Sequence, residues 1–303
     1  MKLDLGALFT RMWKIGWHHK ILWLFQFLPA LATIFAFPFL ILFNPGFAEF
    51  MPGPFNNIDE TLLIVLFAIA ALIFSIVSML VSTVAQGATN LGALKVERGA
   101  ERLTFRELLT ETLPYFWRLL GLYLIFIGGW MAFYFSFMAI ISFASFLTFG
   151  LGFLCFLPFF ILMIPVLIVG GSILQLAQAA ILAEGMRTLQ AIEHAWKILR
   201  ANFWSVLLLM VILYLGLTML SSLVVFPIML PITYLPMFFI DQVENVERLF
   251  PLLMVAWFFM FILIYAFQSI LMTFFQSAWM VAYLRLRPAP GDNTPILADE
   301  PQA

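Results

Sequence analysis

Polar positions break this chain into six long apolar runs, each able to cross about 30 Å of hydrocarbon as a helix. The residues from Leu119 to Ala183 include no charged side chain and are too many for one span, so we divide them at the turn-like residues 148–152. The predicted spans cover about residues 21–43, 61–85, 115–137, 156–183, 203–226 and 250–284. The pattern predicts an all-α, polytopic membrane protein with six transmembrane helices.

Amphipathic segments precede the first, third and fifth spans. They comprise residues 4–18, a segment opened by the capping-box pattern at Thr104, and residues 184–200. Helices of this kind lie in the headgroup plane, with the apolar side towards lipid and the charged side towards water. The chain therefore predicts three repeated hairpins, each with an amphipathic entry helix, an odd span, a far-side linker and an even span.

The linkers and helix ends follow from turn residues and prolines. Residues 138–152 are expected to form an apolar connector in the far interface, and residues 227–240 are expected to lie there as well, because their three prolines break any simple helix. The helix of the second span is expected to continue to residue 97 or 98, with Gly99 as its cap. Residues 1–287 then form a single membrane domain, and residues 288–303 form a disordered cytoplasmic tail.

The same polar element lies near the end of each even span. It has a glutamine followed by a small residue and an alanine, with a second polar residue three positions before the glutamine. The six polar residues are Gln86, Gln178 and Gln276, with Thr83, Gln175 and Thr273. A glutamine in hydrocarbon needs a hydrogen-bonding partner, so we expect these faces to turn inwards and meet as a central polar face. That face is either a polar cavity or a packing seam of glutamines and small residues.

Polar stripes support this alignment, because Ser78, Ser82 and Gln86 follow one face of the second span. Copies with the same in–out sense predict a parallel internal repeat.

Charge sets the orientation. Every lysine and arginine except Arg248 falls on one side of the predicted spans. By the positive-inside rule, both termini are expected to be cytoplasmic, in the inner membrane of a bacterium. The composition agrees with a lipid environment, since 64% of the residues are hydrophobic and 10% are charged. The net charge of −1 indicates no nucleic-acid partner.

The predicted partner is the lipid bilayer with its anionic headgroups. Tryptophans of the entry segments are expected to anchor the protein in the interface, namely Trp13, Trp17, Trp196 and Trp204. Basic side chains of the same segments are expected to contact anionic headgroups, namely Arg11, Lys14, Lys20, Arg106, Lys197 and Arg200.

Sequence motifs for chemistry are missing. The chain has no nucleophile motif, phosphate-binding loop or zinc spacing, so we predict a protein that is not an enzyme and has neither a cofactor nor a metal site. His18 and His19 are interpreted as a polar hinge at the membrane surface rather than as metal ligands. Asp241, Glu244 and Glu247 are interpreted as a solvated acidic loop rather than a cation site.

A family resemblance rests on the aromatic and basic residues of the entry segments. The residues that carry it are Leu5-Gly6-Ala7-Leu8, Trp13-Lys14-Ile15, Trp17-His18-His19-Lys20-Ile21-Leu22-Trp23-Leu24-Phe25, Ala195-Trp196-Lys197 and Asn202-Phe203-Trp204. The chain resembles a broad group of bacterial six-span proteins, some of them labelled after the membrane domain attached to certain glycerophosphodiester phosphodiesterases. The resemblance implies a membrane domain, and no segment here is long enough for the catalytic barrel of those enzymes, so no catalytic residue carries over.

Two functional hypotheses follow. The first is a non-enzymatic, lipid-interacting or accessory scaffold, and the second is a carrier or export component for a small amphiphilic molecule.

Overall fold

The computed structural model describes residues 4–42, 59–148, 156–239 and 246–287. Their regular structure is helical, and these ranges contain no strand, so the predicted all-α class is confirmed. The helices are α1 (Leu5–His18), α2 (Ile21–Leu42), α3 (Glu60–Glu97), α4 (Phe105–Thr112), α5 (Phe116–Leu147), α6 (Phe156–Glu184), α7 (Thr188–Ala201), α8 (Phe203–Phe239) and α9 (Val246–Leu286). A 3₁₀ turn, Leu113–Tyr115, joins α4 to α5.

Five stretches of helix are long and apolar enough to cross a membrane. They are Thr61–Glu97, Phe105–Leu147, Met163–Glu184, Phe203–Leu230 and Val255–Leu286, while the described apolar part of α2, Ile21–Phe35, is shorter. Large apolar side chains on these helices are exposed, including Leu72 at 61%, Phe135 at 60% and Met219 at 71%. Exposing so large an apolar surface to water would be energetically unfavourable, so the chain is a multi-pass membrane protein.

Three helices form the centre of the bundle: α3, α6 and α9 contact one another pairwise. Outside them, α2 packs against α3 and α9, α5 packs against α3 and α6, and α8 packs against α6 and α9. Small buried residues occupy the contacts of the central helices, including Ala88, Ala180 and Ala278, each at 0% exposure. Small side chains let helix backbones approach closely, which is how helices associate where lipid removes the hydrophobic driving force.

The amphipathic helices collect at one end of the bundle, which we call the charged end. There α1 packs on α9, α4 on α3, and α7 on α6. Their apolar faces are buried against protein, with Leu8, Leu108 and Ala195 all at 0% exposure. The expectation that these faces point mainly towards lipid is therefore wrong. The helical period marks an apolar face, and neighbouring helices cover that face as well as acyl chains would.

The described parts of two predicted connectors are largely helical. Helix α5 continues to Leu147, beyond the expected end at residue 137, and α8 passes Pro227 to reach Phe239 instead of ending at residue 226. In hydrocarbon, leaving the helix exposes several backbone groups to a medium without hydrogen-bonding partners, whereas a proline removes one donor. Continuing the helix is therefore the cheaper solution.

At the charged end of the bundle, the end of helix α3 follows the prediction from the sequence closely. Helix α3 ends at Glu97, and Gly99 has a left-handed φ of +97°. The Gly99 N–H donates to the Val96 carbonyl at 3.1 Å, and the Ala100 N–H donates to the Lys95 carbonyl at 3.0 Å.

Helix α9 begins at Val246, inside the predicted charged loop. The predicted tail 288–303, residues 149–155 and the acidic residues Asp241 and Glu244 lie outside the described residues.

Candidate functional site

A closed set of hydrogen bonds joins Gln86, Asn90, Tyr123, Gln178 and Gln276, which we call the polar ring. Gln276 Nε2 donates to Gln86 Oε1 at 3.0 Å. Asn90 Nδ2 donates to Gln276 Oε1 at 3.0 Å and to Gln178 Oε1 at 3.3 Å. Gln178 Nε2 donates to the Tyr123 hydroxyl at 2.6 Å, and that hydroxyl donates to Gln86 Oε1. Each member therefore bonds at least two others.

Four helices contribute to the polar ring. Helix α3 supplies Gln86 and Asn90, which share a face because they are four residues apart, while α5, α6 and α9 supply one member each. The small residue after Gln86 allows the close approach. A Cβ on Gly87 would lie 2.7 Å from Thr112 Cγ2 and 2.8 Å from Leu119 Cδ1. The small residue in the sequence element is thus required for α3 to pack against α4 and α5.

The polar ring is buried unequally. Asn90, Gln178 and Gln276 are 2%, 1% and 0% exposed, whereas Gln86 and Tyr123 are partly exposed. Buried amides without partners would be costly, so the mutual bonds stabilise this part of the bundle. Two atoms are left over: Asn90 Oδ1 is buried without a partner, and Gln86 Nε2 bonds to none of the described residues.

The exposed side of Gln86 faces a cavity of about 450 Å³, which we call the polar cavity. It lies between α2, α3 and α9, with Met229 of α8 at its edge. Its polar wall consists of Gln26, Ser78, Ser82, Gln86, Tyr265 and Gln268, together with Thr33 and Ser269. Gln26 is itself held in place, since its Nε2 donates to Thr89 Oγ1 at 2.9 Å. None of the described residues in this wall is charged.

The structure brings the three predicted glutamines together but leaves their companions outside the polar ring. The Thr83 hydroxyl donates to the Met79 carbonyl at 2.8 Å, and the Thr273 hydroxyl donates to the Ser269 carbonyl at 2.9 Å. Gln175 is buried, and its Oε1 has no partner. Each threonine hydroxyl therefore donates its hydrogen bond to a backbone carbonyl of its own helix.

Sequence reasoning missed two members of the polar ring. Extending the stripe of Ser78, Ser82 and Gln86 by one more interval of four residues leads to Asn90. Tyr123 has no comparable signal, because the residues four positions before and after it on α5, Leu119 and Ile127, are apolar.

The predicted lipid-contacting cations divide into a group with ion-pair partners and an exposed group without them. Arg11 Nε lies 2.7 Å from Glu97 Oε1, and Lys197 Nζ lies 2.7 Å from Glu193 Oε1. The hydrogen bond and charge of Lys197 lower the pKa of the Glu193 carboxyl. The exposed group consists of Lys14, Arg106 and Arg200, which form no ion pair among the residues described, and Lys20, which lies 6.0 Å from the centre of the Trp23 ring.

The predicted interfacial tryptophans are all exposed. Trp13 and Trp17 stack with ring centres 5.4 Å apart, and Trp13 also stacks on Phe274 of α9 at 5.1 Å. Trp196 is 44% exposed and Trp204 is 77% exposed. All four lie on or beside the amphipathic helices α1 and α7. The amphipathic indole rings of these tryptophans therefore lie at the charged end of the bundle.

Further polar contacts hold the charged end together. Two arginines donate to carbonyls at the end of α6: Arg98 to Ala183 at 3.3 Å, and Arg118 to Gly185 at 2.6 Å. On α9, the Tyr283 hydroxyl donates a hydrogen bond to Glu184 Oε1. The last turn of α6 is therefore tied to α3, α5 and α9.

Within the described ranges, no three potential metal-ligating side chains lie together. Comparison of the chain with protein-family models, curated proteins and solved structures finds no match.

Proposed function

We propose that this protein is a non-enzymatic, lipid-interacting scaffold of the bacterial cytoplasmic membrane. The observation that carries the proposal is a set of exposed cations at one end of the bundle, one from each amphipathic helix: Lys14, Arg106 and Arg200. Exposed tryptophans lie at the same end. Cations that find no ion-pair partner among the described residues, beside rings suited to the interface, match the anionic headgroups of a cytoplasmic leaflet.

The proposed topology is six spans in three repeated hairpins, with both termini in the cytoplasm. Consecutive helices of each proposed hairpin are in contact, as α2 with α3, α5 with α6, and α8 with α9. The second helix of each hairpin contributes one glutamine to the polar ring. The basic residues of the amphipathic helices favour the cytoplasm for the charged end.

The burial of the polar ring favours a scaffold over a carrier. Gln178 and Gln276 are almost completely buried and bond within the polar ring, so they offer no surface to a passing solute. The carrier for a small amphiphile is kept as a second candidate because the polar cavity reaches Gln86. A continuous polar path through the bundle would require the ring to open.

The proposal is tested with the full-length protein in mixed vesicles of phosphatidylglycerol and phosphatidylcholine. Quenching of tryptophan fluorescence by brominated forms of each lipid reports which lipid lies near the exposed tryptophans of the protein, which include Trp13, Trp17, Trp196 and Trp204. We expect the protein to prefer phosphatidylglycerol. A surface cation contributes about 1 kcal/mol to such binding, or roughly fivefold in local affinity. The triple variant Lys14→Gln/Arg106→Gln/Arg200→Gln should therefore lose the preference several-fold.

The matched control is Glu193→Gln/Lys197→Gln, which removes an ion pair from the same surface without changing the net charge. It should keep the wild-type preference. Equal quenching by the two lipids in the wild-type protein, or an unchanged preference in the triple variant, would show that the exposed cations do not select lipids. Added salt should weaken the wild-type preference, because it screens exposed charges.

A further inference from the structure

The polar cavity lies deep in the bundle. Its serines, Ser78 and Ser82, are close to the midpoint of the apolar stretch Thr61–Glu97. Gln86 is eleven residues before Glu97, which corresponds to about 16 Å along a helix. The cavity is only partly enclosed, and at this depth the surroundings of the bundle are hydrocarbon. A molecule that enters it sideways therefore comes from the bilayer.

Several polar groups in this wall have no hydrogen-bonding partner in the part of the chain that the structure describes. The side chains of Ser78, Ser82 and Tyr265 bond to none of the described residues, and neither does Gln86 Nε2. Ser75, on the same helix, behaves differently, because its hydroxyl donates to the Ala71 carbonyl at 2.7 Å. Unpartnered donors in hydrocarbon are costly, so a ligand with a hydrogen-bonding group gains free energy by binding there.

The lining also defines the chemistry of the ligand. Amides and hydroxyls offer both donors and acceptors, while the described lining includes no lysine, arginine or acidic residue to neutralise a charge. A phosphate or carboxylate group would lose its hydration without gaining a counter-charge. The rest of the wall is apolar, with Met229, Ile264 and Met272 suited to an acyl chain. A volume of about 450 Å³ is within the usual range for small-molecule sites.

We propose that the polar cavity binds one uncharged amphiphile of the diacylglycerol type. Its hydroxyl or ester carbonyl group bonds to Gln86 Nε2 and Ser82, and its chain lies along the apolar wall. This site goes beyond the headgroup contacts of the scaffold, because it lies at mid-depth and recognises an uncharged group. Gln86 belongs to both the polar ring and the cavity, so the ligand contacts the element that joins four helices.

The test uses the full-length protein in phosphatidylcholine vesicles and a diacylglycerol that carries a photoactivatable diazirine in one acyl chain. We expect labelling that saturates, is competed by unlabelled diacylglycerol, and maps by mass spectrometry to α2, α3 and α9. Phosphatidylglycerol with the same diazirine chain should label these positions at least fivefold less. Labelling that does not saturate, or equal labelling by the two lipids, would overturn the proposal.

Two variants fill the cavity from different positions, Ser82→Leu and Ser78→Leu. Either should reduce the saturable labelling at least fivefold, provided that the variant elutes as a folded protein. The matched control is Ser75→Leu, because Ser75 is exposed on the same helix outside the cavity. It should retain labelling within twofold of the wild-type value. Labelling that persists in both cavity variants would show that the probe binds elsewhere. The preference for phosphatidylglycerol described above should be unchanged in all three variants.

Discussion

Replacing Tyr123 with phenylalanine is the most direct perturbation of the polar ring, because it removes one oxygen and keeps the aromatic side chain. The hydroxyl accepts a hydrogen bond from Gln178 Nε2 at 2.6 Å and donates one to Gln86 Oε1. The two partners are affected differently. Gln86 Oε1 keeps its bond from Gln276 Nε2, whereas Gln178 Nε2 has no other acceptor among the described residues.

The expected magnitude follows from these contacts. A hydrogen bond between membrane helices contributes about 0.6 kcal/mol on average, and a buried donor without a partner costs about 1–3 kcal/mol. Gln178 is 1% exposed, so its orphaned amide has no route to water. We therefore expect Tyr123→Phe to lower the free energy of unfolding by about 2 kcal/mol, a change of roughly 30-fold in the unfolding equilibrium constant.

The measurement is the free energy of unfolding in bicelles by steric trapping. The matched control is Tyr134→Phe on the same helix, since Tyr134 is 45% exposed and its hydroxyl bonds to none of the described residues. The control should change the free energy of unfolding by less than about 0.5 kcal/mol, as is usual for surface substitutions. If the two variants were equally stable, the polar ring would not stabilise the bundle and the reasoning would be refuted.

Two further predictions concern the charged end. A Cβ on Gly16 would lie 2.4 Å from Phe274 Cε1, so Gly16→Ala should cost about 1–3 kcal/mol of unfolding free energy in the same assay. Gly6→Ala in the same helix, where the nearest atom is Asp4 Oδ1 at 3.4 Å, should be neutral or stabilising, and equal losses would contradict the close approach. Burial, and then the charge of His18, lower the pKa of His19 from its ordinary value of 6.5. The folded state binds a proton at His19 less readily than the unfolded state does. The stability that neutral His19 contributes is therefore complete above pH 6.5 and is lost as the pH falls towards the lowered pKa. His19→Gln should flatten the pH dependence of unfolding in that window, and an unchanged slope would exclude His19 as its source.

The candidate site was only partly accessible from the sequence. The cost of an isolated amide in hydrocarbon led to the expectation that Gln86, Gln178 and Gln276 meet, and the structure places them in one set of hydrogen bonds. Asn90 could have been found on the same stripe of α3. Tyr123 could not, because nothing in an apolar run indicates which residue of a different helix faces a given amide.

The charged end shows a different limit. The helical period correctly marked the apolar faces of the entry segments, yet it did not indicate what covers them. Leu8, Leu108 and Ala195 are buried by neighbouring helices, and Arg11 forms an ion pair with Glu97. Protein and acyl chains are both apolar, so a one-dimensional pattern does not distinguish them.

The sequence by itself determined the all-α class, the apolar stretches and the places where polar groups enter them. These properties depend on residues near one another in the chain, through helical spacing and the cost of placing polar groups in hydrocarbon. Only the tertiary structure decided which donors reach which acceptors, that Gln178 and Gln276 are buried while Gln86 borders a cavity, and that α5 and α8 continue into the expected connectors. Those outcomes depend on distances of about 3 Å between atoms far apart in the chain, which packing sets and local pattern does not.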